Sequence, residues 1–299
     1  MSNNGYVFFL KDNLPYAVSK STGEIVDAIN TVIPVGSIVY TPEQQEEYRE
    51  RKEQERLRAL RREQGNELGY FYFLSREHQL GNISAETVGR LIYLLTYLDY
   101  DGNLMLSQRT HLQKSDLESV MGFSKWTVNR FLKEITPSYI TESKDGLKLT
   151  NADVVRGRLN KTDKVYQKMY INTIRKIYKS VKPSNHKHLG YIFQTIPYIN
   201  LEYNILCTNP NEVELEKIEP ITIGDFCKMI GFDVSNFHRL KKIYNSITFE
   251  INGQEQYFLS FVSNENNADT IRMFVNPRVL YSGSDYKKVE VLGLFTKKK

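Results

Sequence analysis

Cysteine is scarce in this chain of 299 residues: Cys207 and Cys227 are the only two. Two cysteines are not expected to build a disulfide framework or a four-ligand zinc site. Long apolar runs are missing as well. The longest, Leu91–Leu98, is far shorter than the roughly 20 residues of a membrane-spanning helix. The opening stretch MSNNGYVFFLKDN has neither a basic start nor an extended apolar segment, so no secretory signal is expected. No G-x-x-x-x-G-K-[ST] occurs, which excludes a P-loop nucleotidase. These absences predict a protein of a reducing compartment, the cytoplasm, with no membrane partner.

Excess charge is also small. Forty Lys and Arg residues face 35 Asp and Glu, leaving +5, which by itself nominates no partner. Its distribution says more: residues 156–200 hold ten bases and one acid, while the flanks are near neutral. Hydrophobic residues at 40% and charged residues at 25% are ordinary for a globular protein. The length predicts about two domains.

Residues 1–40 read as a small β unit. Val7–Leu10, Tyr16–Val18 and Ile38–Tyr40 are strand-like, punctuated by Asp12-Asn13 and Thr22-Gly23. Residues 41–65 read as a long charged helix. Thr41 can cap it, Pro42 suits the first helical position, Gln44 completes a capping-box pattern, and Gly65 is the expected stop. Acids precede bases along it, which complements the helix dipole. It can be a solvated connector, or its Arg-rich end can touch phosphate or a partner subunit.

Beyond residue 65 the chain repeats itself. SDLESVMGFSKWTVNRFLKE (115–134) matches GDFCKMIGFDVSNFHRLKKI (224–243) at an offset of 109, with Asp116/Asp225, Gly122/Gly231, Phe123/Phe232, Arg130/Arg239 and Lys133/Lys242 identical. Upstream, residues 89–105 match 190–206 at an offset of 101, with Gly89/Gly190, Tyr97/Tyr198 and Asn103/Asn204 identical. Two matches in the same order indicate tandem duplication. The change of offset predicts eight extra residues in the second copy, around Asn209–Pro220.

Each copy reads as a helix-turn-helix. In the first, Ser115 caps a helix carrying Leu117, Val120 and Met121, Gly122 supplies the tight turn, and Ser124 caps the next helix. Val128, Phe131, Leu132 and Ile135 then form one apolar stripe. The opposite face carries Lys125, Trp126, Asn129, Arg130 and Lys133. These residue types suit DNA: Arg pairs with guanine, Asn with adenine, and Lys with phosphate. A wing follows, Tyr139–Thr141 and Leu147–Leu149 around an Asp145-Gly146 hairpin, with Lys144 and Lys148 near its tip. In the second copy Asp233 is the cap. Phe237, Leu240 and Tyr244 are buried, and Ser235, Asn236, His238, Arg239 and Lys242 face outward. Strands at Ile247–Ile251, Tyr257–Val262 and Thr270–Val275, with Asn252-Gly253 and Ser263–Asp269 between them, predict a longer wing. Whether both copies bind DNA, or one serves structure or dimerisation, stays open.

The stretch GFSKWTVNRFLKEI resembles the helix-turn-helix of MarR-like winged-helix regulators. IRMFVNPRVLYSG (271–283) resembles the wing and following turn of RepL-type plasmid replication proteins of Firmicutes. The tandem layout resembles two-winged-helix plasmid initiators, and about residues 68–295 as a whole resemble DNA-binding proteins of Firmicute phages and plasmids. The resemblance implies an α+β chain of two tandem winged helix-turn-helix domains, at 66–155 and 201–299. Residues 156–200 form a basic connector and the start of the second repeat, and residues 1–65 belong to none of these families.

Within that connector, Val165–Asn172 reads as a strand and Ile174–Val181 as a helix with Arg175, Lys176 and Lys179 on its polar side. Pro183 ends it, and another helix begins near Ser184 or Asn185. Ten bases between two candidate readers suggest contact with the DNA backbone; a lysine-rich solvated face is the alternative. His186-Lys187-His188 superficially resembles a nickase metal motif, but the helical reading makes both histidines surface residues. Tyr93 and Tyr97 lie in an apolar helix and read as core. No catalytic residue, metal or cofactor is expected. The sequence thus predicts a non-enzymatic, sequence-specific transcription regulator acting on double-stranded DNA, as a monomer or homodimer. A replication initiator that binds origin repeats is the alternative.

Overall fold

The structure, a computed structural model, describes residues 6–11, 14–27, 42–74, 80, 83–157, 159, 165–263, 265 and 267–297. The chain is α+β and falls into two compact units, Met1–Arg62 and Glu63–Lys299. No helix among the described residues is long and apolar enough to cross a membrane.

In the first unit, β1 (Tyr6–Lys11), β2 (Leu14–Ser19) and β3 (Ile25–Asp27) form an antiparallel meander. Gly23 turns β2 into β3 at φ +71°, as the Thr22-Gly23 signal predicts. The strand expected at Ile38–Tyr40, the Asp12-Asn13 turn and the Thr41 cap lie outside the described residues. Helix α1 (Pro42–Leu68) begins at the expected proline. Its surface is laced by local ion pairs such as Lys52–Glu55 at 3.2 Å and Arg56–Glu53 at 2.7 Å. It does not stop at Gly65. It runs three residues further, to Gly69 at φ +60°, because the reversal into the next strand needs the left-handed conformation there.

The second unit holds two halves in sequence order. The first comprises β4 (Tyr70–Phe73), α2 (Ala85–Leu95), β5 (Met105–Ser107), β6 (Thr110–His111), α3 (Leu117–Met121), α4 (Lys125–Ile135), β7 (Ile140–Ser143), β8 (Gly146–Leu149) and β9 (Val154–Val155). The second comprises β10 (Gln167–Tyr170), α5 (Ile171–Ser180), α6 (His186–Gln194), α7 (Ile223–Met229), α8 (Phe237–Asn245), β11 (Thr248–Ile251), β12 (Gln254–Tyr257), β13 (Leu259–Val262), β14 (Arg272–Val275), β15 (Leu280–Tyr281) and α9 (Lys287–Glu290). The strand expected over Val165–Asn172 is shorter, because helix α5 already starts at Ile171.

A central sheet in the order β15-β10-β4-β9 joins the halves. Strands β4 and β10 pair antiparallel, from Tyr70 opposite Tyr170 to Phe73 opposite Gln167. In the same unit α2 packs on α6. The approach is so close that a Cβ on Gly89 would sit 2.7 Å from the His186 carbonyl oxygen, and one on Gly190 would collide with the Ala85 carbonyl. Only glycine allows that contact. The joint is apolar: Phe71, Leu91, Ile92, Met169 and Ile192 are fully buried, each contributing about 1.5–3 kcal/mol. The basic stretch is therefore part of the core that unites residues 63–299 rather than a free tether.

The wing strands need correcting. The hairpin turn of the first half is Lys144-Asp145, not Asp145-Gly146, since Gly146 already pairs with Ser143. In the second half the strand expected over Tyr257–Val262 breaks at the buried Phe258, whose N–H turns to the Ile247 carbonyl at 3.0 Å. Hairpin β11–β12, with the expected Asn252-Gly253 turn (φ 51° and 76°), is an addition braced on α5. Hairpin β13–β14 is the counterpart of β7–β8. Leu104 donates to the Leu147 carbonyl (2.9 Å) as Leu206 donates to that of Met273 (3.0 Å). Most of the insertion is also located: Leu112 donates back to the Leu104 carbonyl and Ile221 to that of Leu206, so residues 105–111 correspond to 207–220, which holds seven of the eight expected extra residues.

Candidate nucleic-acid interface

In the first half, the chain enters α3 through a 3-10 turn at Lys114–Asp116. Its capping box is made by Gln113 and Asp116. Ser115, the expected cap, lies inside that turn, because the Gln113 N–H already takes the Asp116 carboxylate at 2.8 Å. Gly122 then adopts φ +70° and ends α3. Ser124 holds the N-cap position of α4 with extended backbone, its hydroxyl 3.2 Å from that of Thr127. Val128, Phe131, Leu132 and Ile135 are sealed inside, so α4 is pinned along one stripe.

The other face of α4 is free. Lys125, Trp126, Asn129, Arg130 and Lys133 are all exposed, Trp126 at 71%. An indole this exposed is unusual for a folded surface. The Arg130 guanidinium stands 5.8 Å from the Trp126 ring centroid and 3.8 Å from the Glu134 carboxylate. Glu134 is held in turn by the Ser84 hydroxyl at 3.0 Å. Burial pushes the Glu134 carboxyl up, but hydrogen bonds from Thr87 and Ser84 and the nearby Arg130 together hold it below the usual carboxylate range. Glu134 thus stays charged and steadies Arg130, a role the sequence reading missed because Ser84 is 50 residues away. Lys144, in the hairpin turn, and Lys148, on β8, are exposed on the adjoining hairpin.

The second half repeats the geometry. Gly231 has φ +65°, and Asp233 caps the next turn by accepting from the Ser235 N–H at 2.9 Å. Leu240 and Tyr244 are fully buried, and Phe237 is half-buried with its ring against His238. Ser235, Asn236, His238, Arg239 and Lys242 are exposed. Asn236 is partly committed, because its amide donates to the Asp233 carboxylate at 3.0 Å. Arg239 has no ion-pair partner among the described residues, unlike Arg130.

The three connector bases separate. Arg175 is half-buried: its guanidinium donates to the Thr96 hydroxyl (2.9 Å) and carbonyl (2.8 Å) and lies 4.3 Å from the Tyr97 ring centroid. It closes the C-terminus of α2. Lys176 donates to the Glu250 carbonyl at 2.7 Å and ties α5 to β11. Lys179 is exposed, and its ammonium has no partner among the described residues. The polar side of α5 is therefore largely spent inside the protein.

The histidines are not surface residues. His186 and His188 are each 2% exposed. The His186 ring nitrogen Nε2 faces the carbonyls of Val181 (3.1 Å) and Tyr178 (3.3 Å), while His188 packs edge-on against Tyr244 and Tyr191. Both sit at the start of α6, where α5 and α8 cover them; the charged neighbour Lys187 hid this in the sequence. Burial pulls the His188 imidazole down to about 4, helped by Lys187 and Arg239. Among the described residues no group of His, Cys, Asp and Glu could hold a metal. Tyr93 is buried as expected, but Tyr97, also expected in the core, is half-buried, with its hydroxyl 3.0 Å from that of Tyr93. No protein-family model, curated protein or solved structure matches this chain.

Proposed function

We propose that the chain is a non-enzymatic, sequence-specific DNA-binding protein that regulates transcription. In this reading residues 63–299 are two tandem winged helix-turn-helix domains, with α4 and α8 as recognition helices and β7–β8 and β13–β14 as wings. The observation that carries it is the outer face of α4. Five exposed side chains of DNA-reading type lie opposite a sealed apolar stripe, just after a left-handed glycine turn, with Lys144 and Lys148 alongside. Arg and Asn suit base edges, and the lysines suit phosphate.

The test is binding to a duplex selected from a random pool. Arg130→Ala is expected to cost about 1–3 kcal/mol on the selected site and little on random DNA. An equal loss on both would make Arg130 a phosphate contact, and no sequence enrichment would overturn the reading. Genomic footprints over promoters, with changed transcript levels on deletion, support regulation. Footprints confined to a replication origin would make the protein an initiator.

A further inference from the structure

We infer that one chain reads an inverted pair of unequal half-sites on a single duplex; this rests on the DNA-binding reading above. The argument comes from how the two halves meet. Aligning Gly89 with Gly190 also aligns Ala85 with His186. A Cβ on Gly89 would press on the His186 carbonyl, and one on Gly190 would press on the Ala85 carbonyl. These are two contacts, each the counterpart of the other when the halves are exchanged. Reciprocity of that kind defines a two-fold, isologous joint and is absent when copies are stacked head to tail.

The sheet carries the same signature. The strands that open each half, β4 and β10, pair antiparallel, and the strands that follow each wing, β9 and β15, take the two outer edges. Translation-related copies would align these strands in parallel. The halves are thus arranged as the protomers of a dimeric repressor, fused in one chain. A two-fold pair of recognition helices on one duplex requires half-sites of opposite orientation.

The readers also set what the half-sites share. Arg130 and Arg239 occupy equivalent positions, as do Lys133 and Lys242, and all four are exposed. Asn129 is replaced by His238, and Trp126 by Ser235. Each half-site should therefore present a guanine to its arginine, in inverted orientation, and differ at the neighbouring bases.

The experiment is selection of duplexes by the full chain, followed by binding of designed variants of the enriched site, with stoichiometry from sedimentation. One chain per duplex is expected, on a motif with two inverted half-sites that share a guanine. Flipping one half-site to make a direct repeat is expected to lower affinity roughly tenfold or more. Inserting about five base pairs between the half-sites, half a helical turn, should do the same. Enrichment of a direct repeat, of a single half-site indifferent to Arg239→Ala, or of a site filled by two chains would overturn the inference and leave DNA binding standing. Absence of any enrichment would overturn both.

Discussion

The two halves share a framework and differ in the charge laid on it. Around α4 the accessory segments expose cations at their tips: Arg109 at the β5–β6 turn and Lys144, beside the exposed Asp145, at the β7–β8 turn. Around α8 the corresponding segments are acidic. The arm at 207–220 exposes Glu214, Glu216 and Glu219, and the loop between β13 and β14 exposes Glu265 and Asp269. Sequence-independent attraction to DNA comes from bases near phosphate. In the proposed DNA-binding reading, the first wing would hold the backbone and the acids beside α8 would weaken the hold of the second wing, while the basic stretch 156–200 keeps the net positive charge in the second half. In that reading, fusing the halves would hold the second wing near the duplex at high effective concentration once the first has bound.

The largest expected effect comes from separating the halves. Gly190→Ala would drive a methyl group into the Ala85 backbone, which has no rotamer to yield. We expect a loss of about 4 kcal/mol in urea unfolding. Gly89→Ala, facing the His186 carbonyl at 2.7 Å, should be destabilising but milder. Two tolerated alanines would mean that the joint is loose and the two-fold contact unimportant.

Acid should distinguish the halves next. His186 and His188 belong to the second half, where the first has Ala85 and Thr87. Burial lowers both imidazoles below the ordinary histidine range, His188 to about 4. The unfolded chain then binds protons that the folded chain refuses. Stability is complete above about pH 6.5 and falls as pH drops towards 4, by about 3 kcal/mol from His188 alone. Urea midpoints measured across that window test this. A flat profile would mean that the imidazoles gain water or a partner when protonated, and His188→Asn should reduce the slope.

Much of α4 and α8 was legible in the sequence, because their determinants are local. Gly122 and Gly231 adopt the left-handed turn their spacing implies, Asp233 caps as its type suggests, and Val128, Phe131, Leu132 and Leu240 are buried on schedule. What failed was long-range. Gly89 and Gly190 were visible as an identical pair, but nothing local says that the two glycines meet. The charge of Arg175 and Lys176 was visible too, yet carbonyls at Thr96 and Glu250, 79 and 74 residues away, claim both side chains. The β11–β12 hairpin misled for the same reason: its turn was read correctly, and its place in the fold depends on α5.

A smaller effect should sharpen the contrast in charge. Lys144→Gln with Lys148→Gln removes two exposed cations from the first wing. Salt dependence of binding should flatten by about one unit of log–log slope per lost phosphate contact. Glu265→Lys on the second wing should steepen it by about one unit if that wing lies along the backbone. A response to the lysine pair without any response to Glu265→Lys would place the second wing away from DNA.

The smallest effect separates two neighbouring lysines of α5. Lys179 is exposed and has no partner among the described residues, so Lys179→Gln should flatten the salt dependence by about one unit if α5 faces the backbone. Lys176 is engaged with the Glu250 carbonyl, and Lys176→Met should leave the slope unchanged while costing about 1 kcal/mol in urea unfolding. Equal slopes lost by both variants would show that the Lys176 contact opens when DNA binds. No slope lost by either would mean that the ten bases of residues 156–200 serve the joint between the halves, and that attraction to DNA comes from the α4 side alone.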